Sequence, residues 1–223
     1  WATVLTPDGI KTFNEIKIND LIWSGERWTK ITNKVNTGVK EVYAFKTRAG
    51  IFYGTENHRI VSEGVKIPAA EADSIDTSVG NIEIEVVDLN LQDIMDGLVL
   101  GDGTMHKASN NLVLLCIGKD DYDYFDSEIK DLIIENRRGI SDDFWTVKTT
   151  IDYLPKTYDR KIPDSVRFGS VQKKCGFLRG LYTANGSIVN NRITLKASSF
   201  NVIQATQEIL SSIGSVNLRS LEV

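Results

Sequence analysis

The chain has 223 residues, 41% of them hydrophobic, and 26 basic against 30 acidic side chains leave it with a net charge of −4. That length and apolar content exclude disorder and allow one large or two ordinary cores, while the acidic balance offers no global attraction to phosphate, so a nucleic-acid surface would need local clustering of cations. Cys116 and Cys175 have neither CxxC nor other metal-ligand spacing, so reduced thiols in a cytoplasmic setting are expected.

No stretch reaches the about 18 apolar residues of a membrane span, and Trp1-Ala-Thr-Val-Leu5 is interrupted at once by Thr6-Pro-Asp-Gly9, so neither a span nor a leader is expected. From Thr3 to about Ala70 short extended runs alternate with turn signals: Val4-Leu5 before Pro7-Asp8-Gly9, Ile10 to Phe13, Glu15-Ile16 before Ile18-Asn19-Asp20, and Leu21-Ile22-Trp23 before Ser24-Gly25. Trp23 and Trp28 read as packing residues. Glu41 to Lys46 and Ile51 to Gly54 flank Thr47-Arg-Ala-Gly50, a loop with glycine where a positive φ is needed, which predicts a hairpin delivering Thr55 and His58 to one end of a sheet. In a chain with two histidines, His58 is a candidate acid/base centre, although a lone Thr-x-x-His more often caps a turn. Pro68 precedes a short helical patch, Ala69 to Ala72, and the Ser, Asp, Thr and Gly content of Asp73 to Gly80 marks a domain boundary.

Beyond it the period changes. Leu89 to Leu100 is predicted helical, with Leu91, Ile94, Leu98 and Val99 on its apolar face. Asp120 to Ile134 is predicted as a second helix, with Tyr124, Phe125, Ile129, Leu132 and Ile133 as its stripe, and Gly176 to Ala184 and Phe200 to Ile213 as two more. Asn111 to Gly118, Phe144 to Lys148 and Arg192 to Ala197 suit strands. A repeat organises this half. Met95-Asp-Gly-Leu-Val-Leu-Gly-Asp-Gly-Thr104 superposes on Leu178-Arg-Gly-Leu-Tyr-Thr-Ala-Asn-Gly-Ser187, pairing Gly97 with Gly180, Gly101 with Ala184, Asp102 with Asn185 and Gly103 with Gly186. Small residues at i and i+4 let two helices approach closely, which would bring Asp102 and Asn185 together at the base of the interface. One such helix alone would read as ordinary packing ended by a common Asp-Gly stop; two with the same downstream order do not.

In this constellation the sequence, over roughly Leu89 to Val223, resembles the LAGLIDADG homing endonucleases. The resemblance implies an α/β domain of two pseudo-symmetric αββα-type repeats, about 89–165 and 170–223, within a domain 81–223. It implies double-stranded DNA on a saddle of strands, and one acidic residue per helix holding divalent metal, Mg²⁺, at Asp102 and the Asn185 position. Lys161-Ile-Pro163 is similar to a segment found between the two motifs in members carried by inteins. Asn185 departs from the pattern, offering an oxygen but no charge, so weak, one-strand or absent cleavage is expected. Residues 95 to 223 carry 16 Lys and Arg against 16 Asp and Glu, an unhelpful balance for a DNA saddle. Lys107, Lys119, Lys148, Lys173, Lys174, Arg192 and Lys196 are the candidate phosphate contacts, with a solvated charged face as the alternative. His106 reads as a loop residue near DNA.

Thr6 to Asp20, followed by a hydrophobic strand and by Thr55-Glu-Asn-His58, is similar to the N-terminal blocks of inteins and the wider Hint family. This resemblance implies an all-β Hint horseshoe whose N-terminal part is 1–80. It also implies self-splicing without a cofactor: His58 protonates the scissile amide nitrogen ahead of the domain, Thr55 strains it, and a Cys or Ser attacks its carbonyl in an acyl shift. Indole cannot perform that attack, so the nucleophile is expected immediately before Trp1. A C-terminal splicing segment with a His-Asn pair is expected from a second polypeptide or from residues beyond Val223, and flanking exteins as the host protein. A monomer with no membrane contact is expected. The alternative is a free-standing LAGLIDADG nuclease, or a nucleic-acid-binding protein without splicing activity.

Overall fold

In a computed structural model, the structure describes residues 3–24, 27–47, 50–76, 88–105 and 111–213. Trp1, His106, Lys107 and the terminal Ser220 to Val223 lie outside these, as does part of the expected boundary at Asp73 to Gly80. Two compact units are distinguished, one of Trp1–Ile84 with Gln207–Val223 and one of Glu85–Thr206.

The first unit is built of antiparallel hairpins: β1 (Thr3–Thr6) with β2 (Gly9–Thr12), β3 (Leu21–Trp23) with β4 (Trp28–Lys30), β5 (Tyr43–Lys46) with β6 (Ile51–Gly54), and β7 (Arg59–Ser62) with β8 (Val65–Pro68). Each pair is a separate two-stranded sheet, so among the described residues no continuous sheet closes into the horseshoe that the sequence suggests. Trp23 and Trp28 stand opposite each other in β3 and β4 and pack edge to face at 5.2 Å. Gly50 has the expected positive φ, +157°, in the β5–β6 turn. The β7–β8 hairpin has no Asn-Gly or Asp-Gly to announce it. Its turn, Glu63-Gly64, takes φ of 51° and 76°, and the Asp76 carboxylate accepts both turn amides at 2.9 and 2.7 Å. A distant side chain thus holds a left-handed turn that the local sequence does not prescribe. A 3₁₀ turn at Ala69–Glu71 follows Pro68.

In the second unit, α1 (Leu91–Asp102) starts at Asn90, whose side chain accepts the Gln92 amide at 2.8 Å. All eight residues from Ile94 to Gly101 are buried, more than one stripe, because α1 packs on both the helix Val171–Asn185 and the sheet. The sheet has order β11-β12-β10-β9, with β9 (Thr104–Met105), β10 (Leu112–Gly118), β11 (Ile133–Arg138) and β12 (Asp142–Lys148), all neighbours antiparallel. Val113, Leu115 and Ile117 of β10 alternate inward with Asp143, Trp145 and Val147 of β12. α4 (Val171–Asn185) is capped by Ser170, and a hairpin of β13 (Gly186–Val189) and β14 (Arg192–Leu195) leads to α5 (Phe200–Ser212), which belongs to this unit up to Thr206.

The long helix expected over Asp120 to Ile134 is not formed. A 3₁₀ turn covers Lys119–Tyr124, the four-residue α2 covers Ser127–Lys130, and from Ile133 the chain enters β11. Phe125 and Asp126 between them take extended backbone, with ψ of 139° and 147°, which lets the Tyr122 and Phe125 rings pack edge-on against Trp145 at 5.7 and 5.0 Å. Of the expected stripe, Ile129 is buried while Tyr124 is 85% exposed. The αββα unit is therefore complete only in the second copy, α4-β13-β14-α5. The first copy runs from α1 into four strands, with short helical turns that include α3 (Asp164–Arg167).

Gly97 and Gly180 are where α1 and α4 cross. A methyl on Gly97 would lie on the Phe177 carbonyl oxygen and 2.7 Å from the Leu181 nitrogen; one on Gly180 would lie on the Ile94 carbonyl oxygen and 2.8 Å from the Leu98 nitrogen. The obstacles are backbone atoms, which cannot swing away. Ile94, Leu98, Phe177 and Leu181 fill the flanks of this seam.

Candidate functional site at the paired helix ends

The two helices stop in the same way. Gly103 N donates to Val99 O and Gly186 N to Tyr182 O, and both glycines leave the helix in extended backbone, ψ 147° and 157°, directly into a strand. Equal helix ends at a close crossing bring the last helical residues side by side. Asn185 Nδ2 donates to Asp102 Oδ1 at 3.0 Å and to the Ala184 carbonyl at 3.2 Å. The amide is oriented nitrogen-inward, since the reverse would set oxygen against oxygen.

The sequence reading missed Arg160, one residue before Lys161-Ile-Pro163. It is buried, and its Nη1 donates to the carbonyls of Leu100 (2.7 Å) and Gly101 (2.5 Å) while Nη2 donates to Gly103 O (2.7 Å). These are carbonyls that the end of α1 leaves without helical partners. Burial at the junction raises the Asp102 carboxyl above the usual carboxylate range, with Arg160 opposing it, even though the side chain keeps an exposed edge. Burial likewise lowers Arg160, with Asp102 opposing.

These donors do not fit a pair of divalent ions. Such ions require oxygen ligands and anionic compensation. Here there is one carboxylate beside a neutral amide that can offer an oxygen but no charge, and the carbonyls flanking it face a guanidinium. Among the described residues no cluster of three or more His, Cys, Asp or Glu could hold an ion.

A second carboxylate in α1, Asp96, is fully engaged elsewhere. Its oxygens accept from Thr149 Oγ1 (2.8 Å), Thr150 N (2.9 Å), Thr150 Oγ1 and Gln92 Nε2 (3.0 Å), tying the helix to the end of β12. Asp96 is a buried anchor inside the motif helix itself.

The candidate cations separate. Lys119, Lys148, Arg192 and Lys196 are exposed. Lys173 is drawn to Asp93 at 3.4 Å across the helix pair. Lys174 is a correction: it is 0% exposed in the first turn of α4, and burial pushes its ammonium down to about 8, so it cannot meet a phosphate. Lys107 lies outside the described residues. Arg137, which sequence reasoning passed over, is exposed opposite Phe144 and lies 5.1 Å over its ring; this face of β10 to β12 points away from the core and also carries Lys148.

In the first unit, Thr55 and His58 bracket a tight bend. His58 N donates to Thr55 O at 2.9 Å and Thr55 Oγ1 to Asn57 Oδ1 at 2.7 Å, while Ala69 N and Ala70 N donate to the carbonyls of His58 and Glu56 at 2.8 and 3.2 Å. The bend is thus pinned to the turn after β8, and the His58 side chain is left exposed. Gly54 beneath it leaves room for the ring: a methyl there would be 3.0 Å from His58 Cβ and Cγ.

No curated protein matches the chain. Residues 172–219, which span α4, the β13–β14 hairpin and α5, match the family described as a LAGLIDADG-like domain. A LAGLIDADG-like domain is therefore present in the part of the chain that holds Asn185, and the first repeat, which holds Asp102, is joined to it by the glycine-packed seam.

Proposed function

We propose that the second unit is a LAGLIDADG-type DNA-recognition domain whose nuclease centre has one carboxylate where its symmetry calls for two. The observation that carries this reading is the meeting of Asp102 and Asn185, at 3.0 Å, at the matched ends of two helices, one of which lies in the LAGLIDADG-like stretch. Asp102 would then be the remaining nuclease acid and Asn185 its neutral counterpart, so DNA is held on the outward strand face with cleavage impaired. Arg137 and Lys148 on that face, with Arg192 on the second hairpin, are the side chains available to phosphates. The test is selection of bound duplexes from a randomised DNA library by the full chain, followed by incubation of the selected duplexes with Mg²⁺. The unmodified protein is expected to retain selected duplexes with little cutting, and Asn185→Asp to nick or cut them. Full double-strand cutting by the unmodified protein, or no duplex selected, overturns the reading.

The geometry of the first unit supports a second activity. The pinned bend carries Thr55 and an exposed His58 imidazole, the residue pair that a Hint-type acyl shift uses at a preceding peptide bond. A test protein fused ahead of a Cys placed before Trp1 is then released by added thiol, and release is lost in His58→Ala. Equal release from both fusions refutes this activity.

A further inference from the structure

The end of α1 is held differently from the end of α4. At α4, the Asn185 carbonyl is taken up by a backbone amide, Lys196 N at 3.1 Å, as the chain returns from β14. At α1, the carbonyls of Leu100, Gly101 and Gly103 converge instead on one guanidinium. Two of them belong to the residues immediately before and after Asp102. The Gly101 carbonyl belongs to the peptide that enters Asp102 and the Gly103 carbonyl to the one that leaves Gly103, while the peptide between Asp102 and Gly103 is held by Gly103 N on Val99 O at 2.8 Å, so the fork and the last helical bond together restrain the backbone around Asp102 and the direction of its Cα–Cβ bond. Neither carbonyl can tilt without losing a charge-assisted bond in a water-poor site.

The clamp is itself anchored. Ser199, 1% exposed, donates its hydroxyl to the Arg160 carbonyl at 2.7 Å, and the same oxygen lies 3.4 Å from the Val202 amide at the start of α5. The residue at the head of the last helix of copy two therefore supports the residue that shapes the motif end of copy one. Lysine could not replace this geometry, because a single ammonium on a flexible stem lacks the planar fork whose two nitrogens reach three carbonyls.

We propose that Arg160 is the positioning residue of the junction: gripping the carbonyls of Gly101 and Gly103, the two neighbours of Asp102, it sets the carboxylate where Asn185 meets it, with Ser199 holding the clamp in place. The functional meaning of the junction rests on the LAGLIDADG-type reading above, but the clamp is tested without DNA, metal or cleavage, so a failure of that reading leaves this test standing.

The experiment is NMR on the ¹⁵N-labelled full chain, with the Asn185 side-chain NH₂ resonances assigned from their loss in Asn185→Ala. In the unmodified protein these protons are expected to be protected from exchange by the bond to Asp102. In Arg160→Lys, with the methyl resonances of Leu98 and Leu181 unchanged, exchange is expected to rise about tenfold, the loss of one hydrogen bond in the folded state. Ser199→Ala leaves every junction group in place and is expected to give a smaller rise in the same direction. Protection retained in a folded Arg160→Lys protein overturns the proposal. So does unchanged protection in Ser199→Ala, whether or not Arg160→Lys folds, since Arg160 would then be a buried structural side chain and no more.

Discussion

Replacing Gly180 by Ala tests the seam on which the junction depends. In an exposed helix the change would stabilise, since alanine is better than glycine by roughly 1 kcal/mol. Here the new methyl would fall on the Ile94 carbonyl oxygen and within 2.8 Å of the Leu98 nitrogen, backbone atoms at the centre of a fully buried stretch. Overpacking against atoms that cannot rotate away belongs at the upper end of the usual range, about 3 kcal/mol. The net loss is then about 2 kcal/mol, or a fall of about 4–8 °C in Tm for a protein of this size. The assay is thermal unfolding of protein labelled with fluorotryptophan, in which the Trp145 resonance reports on the second unit separately from the tryptophans of the first. Gly97→Ala should behave alike, because its methyl would meet the Phe177 carbonyl and the Leu181 nitrogen in the same crossing. A Gly180→Ala protein with a raised Tm would refute the close approach of the two helices.

Lys174 supplies a pH signature. It is held at about 8 in the fold against 10.5 when unfolded, so between these values the unfolded chain binds the extra proton and stability rises with pH, by up to about 3 kcal/mol. Urea denaturation at pH 7.5 and pH 10 should show this rise in the unmodified protein and its loss in Lys174→Met. The same variant should bind selected DNA as before, since the ammonium never reaches the surface. On the outward face, Arg137→Ala and Lys148→Ala should each reduce the slope of log affinity against log salt by about 1, measured by fluorescence anisotropy; an unchanged slope in both would remove that face from the DNA surface.

The residues that local sequence could reveal were those whose roles are set by local rules. Gly97 and Gly180 announce a helix crossing because spacing alone puts small residues on one face, and Gly50 announces a turn because few other residues adopt its φ. What the sequence hid was decided at a distance. The Asp120 to Ile134 segment has the helical period, yet Trp145 recruits two of its aromatic rings and β12 recruits its end. The β7–β8 turn depends on Asp76, far along the chain. Lys174 and Lys173 are neighbours in sequence with the same charge, but successive residues on a helix point about 100° apart, so one meets Asp93 and the other is enclosed. Arg160 was passed over because nothing near it signals that its partners are the end of a helix sixty residues earlier.

The central claim, a junction of one carboxylate and one amide where two anions would bind metal, is tested most directly by Mn²⁺ binding followed by the electron paramagnetic resonance of the free ion. The unmodified protein is expected to bind weakly, Asn185→Asp at least about tenfold more tightly as the second charge is restored, and Asn185→Asp with Asp102→Asn weakly again. Mn²⁺ held as tightly by the unmodified protein as by Asn185→Asp would contradict the account.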